Sequence, residues 1–97
     1  MSHLSVEFVK RSCAFVLIIE LPLKTMQQII EFFADRKIYV ESMQMQMVEG
    51  GEARCCIYCQ VEKDRVHHTQ TALEKMRGVL ELQLLETRES NLVKHER

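Results

Sequence analysis

Ninety-seven residues, 46% hydrophobic and 28% charged, describe one small packed domain, not two domains and not a disordered chain. Thirteen Lys and Arg against fourteen Asp and Glu leave a net charge of −1, which excludes general attraction to nucleic-acid phosphates. The longest unbroken apolar run, Ala14 to Ile19, is far short of the roughly 20 residues that span a bilayer. Residues 1–11 lack the apolar stretch of a secretory signal, and four cysteines then point to free thiols in a reducing compartment. A cytoplasmic protein without membrane or nucleic-acid contacts is expected.

In chain order, residues 1–13 are mixed and predict an arm or an extension of the first strand. Cys13 to Glu20 is apolar on both faces and rich in β-branched residues, the pattern of a central strand. Pro22 breaks that run. Thr25 to Lys37 is helical, with Met26, Ile29, Ile30 and Phe33 on one face. Thr25 and Gln28 have capping-box spacing. Tyr39 to Val48 alternates strictly, so Met43, Met45 and Met47 are expected in the core. Gly50 and Gly51 predict a hairpin turn into a second alternating strand, Glu52 to Val61, whose inner face is Ala53, Cys55, Ile57, Cys59 and Val61. Asp64 to Arg77 is a second helix with Val66, Thr69, Leu73 and Met76 inward, ended by a left-handed Gly78. Val79 to Thr87 is the last strand, with Leu80, Leu82 and Leu84 inward. Residues 88–97 are dominated by charge and predict a frayed tail.

The order β-α-β-β-α-β is the split βαβ pattern. It predicts an α+β, ferredoxin-like sandwich spanning 14–87. Two helices cover one face of a four-stranded antiparallel sheet. The other face carries Gln44, Gln46, Arg54, Tyr58, Gln60, Glu81 and Gln83.

The candidate chemistry is sparse. Cys55 and Cys59 share a strand face but sit about 13 Å apart at roughly 3.3 Å per residue, too far for a disulfide or a shared zinc ion. Cys56 points to the opposite face. His67 and His68 diverge by about 100° on a helix and cannot clamp one metal. No serine sits in a strained nucleophile elbow. The RNA-recognition motif shares the topology, but only Tyr58 stands where its stacking aromatics belong. No catalytic residue, metal ligand or cofactor is therefore assigned.

The run from Met26 to Met43 (MQQIIEFFADRKIYVESM) resembles the first helix and second strand of an ACT domain. It is more closely similar to the small regulatory subunit of acetohydroxyacid synthase (acetolactate synthase), which reads roughly L-x-R-V-x-x-L-F-x-R-R-G-F-N-I-x-S-L there. Arg36, Val40, Ser42 and Met43 fall on its R, I, S and L. Leu73 to Leu82 (LEKMRGVLEL) resembles the family's L-x-K-L-x-x-V-x-x-V.

The resemblance implies a non-catalytic accessory subunit of branched-chain amino-acid biosynthesis. It implies a homodimer through sheet edges or loops, docking on and activation of the catalytic subunit, and a branched-chain amino-acid effector. The effector residues carried over are Leu21, Pro22, Leu23, Lys24 and Thr25 between the first strand and helix, with Tyr39 and Val40 at the second strand. The family usually has Asn or Asp, Gly and Asn where this chain has Leu21, Lys24 and Tyr39. That exchange removes polar anchors and a close backbone approach. The alternative is a stand-alone ACT-like sensing or dimerisation module serving another enzyme.

Overall fold

The computed structural model describes residues 9–89. Most of the expected N-terminal arm and all of the tail beyond Glu89 lie outside the described residues. The elements are β1 (Lys10–Ile19), α1 (Pro22–Arg36), β2 (Tyr39–Met47), β3 (Ala53–Glu62), α2 (Val66–Glu74) and β4 (Val79–Glu89). They form one antiparallel sheet in the order β2-β3-β1-β4, with both helices against one face. This is the expected ferredoxin-like sandwich. Among the described residues no helix is long and apolar enough to cross a membrane, and no group of three His, Cys, Asp or Glu is placed to hold a metal ion.

β1 begins at Lys10, three residues earlier than its apolar core predicts, because it pairs with β3 from Lys10 opposite Glu62 to Ile19 opposite Ala53. Its inner side chains Phe15, Leu17 and Ile19 are fully buried, with Ile57 of β3 and Ile29 and Leu73 of the helices. The hairpin between β2 and β3 closes as expected. Gly50 and Gly51 take φ of 83° and 80°, and the Val48 N–H donates to Glu52 O at 2.9 Å.

Several expectations need correction. The helix stripe runs through Thr25, Met26, Ile29, Phe32 and Phe33, and Ile30 is half exposed. The stripe is turned toward Phe32, whose ring meets Phe33 edge-on at 5.2 Å and carries the Arg36 guanidinium at 4.0 Å. Of the methionine stripe only Met43 packs on the core; Met45 and Met47 are exposed, because β2 is an edge strand and its far end extends beyond the helices' cover. Leu80 is exposed because a bulge takes it out of register: Ile18 pairs with Glu81 and Ile19 with Val79. Gln60 stands on the open face yet is buried, since its Nε2 donates to Glu41 Oε2 at 2.7 Å beside a bulge between Val40 and Ser42.

Thr25 is not a cap. α1 starts three residues earlier, with Pro22 in its first turn, where a missing N–H costs nothing. Thr25 is 2% exposed, and its hydroxyl donates to Glu20 O. The Glu20 N–H in turn donates to Gly78 O at 2.8 Å. Gly78 lies in the turn before β4, beyond an α2 that ends at Glu74, with φ of 98°. A Cβ there would run into the Thr25 side chain. This three-residue bolt ties the end of β1, the first turns of α1 and the start of β4 together.

The buried cysteines behave as small hydrophobes, as expected. Cys55 and Cys59 are fully buried, and the Cys55 thiol donates to Met26 Sδ at 3.4 Å. Burial, with the neighbouring Cys56 thiol adding to it, pushes Cys55 up to about 11. Burial, then Cys13 and Glu41, pushes Cys59 up to about 12. Cys56 is half-buried on the open face.

Two outcomes follow from this packing. Gly78→Ala combines a left-handed φ with a collision, so it should destabilise the chain by at least about 2 kcal/mol in urea unfolding. Combined with Thr25→Ala it should cost less than the sum of the single changes, because the second substitution vacates the space. For the thiols, both buried groups have folded values above the unfolded value of 9.0. Their stabilisation is complete below pH 9 and drains away as pH rises toward 11–12. Unfolding free energy should be lower at pH 10 than at pH 8 by on the order of 2 kcal/mol. The drop should shrink in Cys55→Ala/Cys59→Ala. At pH 8 a thiol reagent should modify Cys56 quickly and the other three only on unfolding.

Candidate functional site

The loop between β1 and α1 is built on a left-handed residue that is not glycine. Leu21 has φ 47° and ψ 62°, a conformation that crowds any side chain with a Cβ. Two neighbours hold it there. Pro22 fixes the next φ, and the Glu20 carbonyl and amide are both engaged by the bolt described above. The Leu21 carbonyl then takes the first helical bond, from the Thr25 N–H at 2.9 Å.

The result is an open helix start. Its N-cap, Leu21, offers no side-chain hydrogen bond, and the first turn holds no acidic residue. The amides of Leu23 and Lys24 donate to no backbone carbonyl among the described residues. Two orphan N–H groups at the positive end of a fifteen-residue helix favour a carboxylate or a similar anion. The side chains of Leu21 and Leu23 project beside them, 63% and 79% exposed. Lys24 is exposed as well. Thr25 faces inward, so it contributes rigidity rather than a ligand contact.

Tyr39 and Val40 lie elsewhere. They open β2 at the opposite end of the sheet from the β1–α1 loop. Tyr39 is exposed and pairs with Gln60; Val40 pairs with Cys59 and packs against the core. Within one chain the seven expected effector residues form two groups, one at each end of the domain.

Two features leave no mark in the sequence. One is the bolt, whose members Glu20, Thr25 and Gly78 are far apart in the chain and individually ordinary. The other is a cleft of about 320 Å³ at the Tyr39 end, between the last turn of α1 and the first turn of α2.

No protein-family model matches the chain, and no curated protein matches it. Solved structures do. The ACT domain of GTP pyrophosphokinase from Chlorobium tepidum superposes with a TM-score of 0.66 at 16% identity, covering 78% of this chain and 99% of that one. A Thermotoga maritima protein gives 0.67 at 16% identity, covering 81% and 99%. The C-terminal domain of the Mycobacterium tuberculosis MgtC protein gives 0.64 at 8% identity, covering 88% and 95%. At these identities the likeness is one of fold: this chain has the ferredoxin-like architecture that ACT domains share.

Proposed function

We propose that this chain is a non-catalytic, small-molecule-sensing regulatory module, and that it serves as the accessory small subunit of acetohydroxyacid synthase. The observation that carries the sensing role is the open start of α1. Its two unpaired amides are held rigidly by the Glu20–Thr25–Gly78 bolt and flanked by exposed aliphatic side chains. That combination suits a ligand with a carboxylate at one end and an aliphatic group at the other, such as a branched-chain amino acid. The narrower assignment to acetohydroxyacid synthase rests on the similarity of the 26–43 and 73–82 runs to its small subunit.

The second half of the site then comes from a second copy. β2 is an edge strand, and its outer edge is free to pair. Antiparallel pairing of two β2 strands sets the β1–α1 loop of one copy near Tyr39 and Val40 of the other. An effector held between the copies stabilises the dimer. Docking acts on the catalytic subunit only insofar as the dimer prefers that subunit's active state.

One observation favours the broader alternative, a sensing module for another enzyme. The corner offers amides and aliphatic surface, and its exposed polar side chains are only Glu20 and Lys24, which carry opposite charges. Its specificity for an amino acid over another carboxylate is then modest.

The test is acetolactate formation by the matching catalytic subunit, with and without this chain and with each branched-chain amino acid. The expected outcome is a higher rate with the chain present and co-elution of the two proteins. Leu21→Ser/Leu23→Ser should weaken the valine response and leave the fold intact. An unchanged rate without co-elution overturns the acetohydroxyacid synthase assignment. Valine-induced amide shifts at residues 21–25 in the isolated chain would still support the sensing role.

A further inference from the structure

The cleft at the far end of the domain is lined by residues from five segments. Lys10 comes from β1, Arg36 and Lys37 from the end of α1, and Arg65 from the turn before α2. Ile38 and Val61 supply an apolar floor. Asp35 and Glu62 also line it, so four cationic residues stand against two acidic ones around the cleft, in a chain whose net charge is −1.

None of the four cations makes an ion pair among the described residues, even though Glu62 stands directly opposite Lys10 in the β1–β3 register. Only the Arg36 guanidinium has a described partner, the Phe32 ring at 4.0 Å. The backbone adds to the same sign. The first turn of α2 has no side-chain cap and no acidic residue. The negative end of α1 is muted, because Ala34 O and Phe33 O accept the N–H groups of Lys37 and Ile38, both at 3.1 Å.

We propose that this cleft binds a small organic anion carrying two or more negative charges, a phosphate ester or a polycarboxylate. The volume, about 320 Å³, is at the lower end of ordinary ligand sites, which span roughly 300–1,000 Å³. A concave wall with low-dielectric flanks strengthens the attraction over that of the same charges on an open surface. An excess of two positive charges selects against a monocarboxylate, which separates this ligand from the one proposed for the β1–α1 corner. The site stands on these residues alone and does not depend on the partner enzyme.

The test is titration of the full chain, labelled with nitrogen-15, by pyrophosphate, by citrate and by acetate. Pyrophosphate or citrate should shift the amides of residues 36–39, 60–62 and 65–69 in a saturable way, and the affinity should fall as salt is raised. A response to one of the two and not the other identifies the phosphate or the carboxylate chemistry. Acetate should give no localised shift. Lys10→Gln/Arg65→Gln should weaken binding by about tenfold or more, and Arg54→Gln, on the open face, should not change it. If the double variant does not fold, Arg65→Gln alone carries the comparison, since Arg65 is exposed. Shifts spread over all basic residues, equal affinity in the variant, or no shift with either polyanion would overturn the proposal. A valine response at residues 21–25 reports on the other site and is read separately.

Discussion

The structure depends on the pairing of β1 with its two neighbours. β1 is apolar on both faces and hydrogen-bonded along both edges, so it has one place in the sheet, the interior. Phe15, Leu17 and Ile19 point at the helices, and their register neighbours Ile57, Cys55 and Ala53 do the same from β3. A slip of one residue would turn Arg54 and Tyr58 into the core and expose the buried set. The register is therefore held by the whole row rather than by any one contact. Once it is set, Glu20 emerges at a fixed height beside the turn before β4, and the chain has to reverse there.

That reversal explains a leucine in a conformation that usually asks for glycine. The local cost at Leu21 is on the order of 1–2 kcal/mol. It is offset by burial of Thr25 and by hydrogen bonds at both Glu20 backbone groups. A flexible glycine loop would also expose amides, but it would have to be ordered again at each binding event. Here the strain is already accommodated in the folded state, so the open helix start is held in one conformation, as the proposed anion site requires. In the proposed sensing role the same feature limits it, because a corner built from leucines would read charge and apolar shape and little else.

The strands and helices were legible because their periods are strong. Period two in 39–48 and 52–61, the glycine pair between them and the helical spacing in 25–37 led to the correct order and sheet. Alternation tells which side chains share a face, but it does not tell how far a neighbouring layer extends over that face. Met45 and Met47 illustrate this, since their exposure follows from the position of β2 at the edge. Bulges are also silent in an alternating run, so Leu80 looked like a core residue until the register was known. Thr25 departs from its local pattern for a related reason. Ser or Thr three residues before Gln is a local signal, and a buried contact with Gly78 outweighs it. The two groups of expected effector residues were separable only with the topology in hand. The cationic cleft was invisible because its residues come from segments that look like ordinary solvated charge.

The two proposed sites lie at opposite ends of the strand axis. One end presents a small corner with two amides and exposed leucines, and the other a cleft with more cationic than acidic residues. In the proposed antiparallel pairing of β2 strands these ends meet, the corner of one copy beside the cleft of the next. Each dimer then has two such junctions. A monocarboxylate at the corner and a polyanion in the cleft would act on the same interface. The coupling between them would be set by how each changes the stability of that interface, and by linkage it would be felt equally in both directions. A module of this size has little surface to spare, so concentrating both sites at one junction is the arrangement by which two small ligands could each shift its assembly.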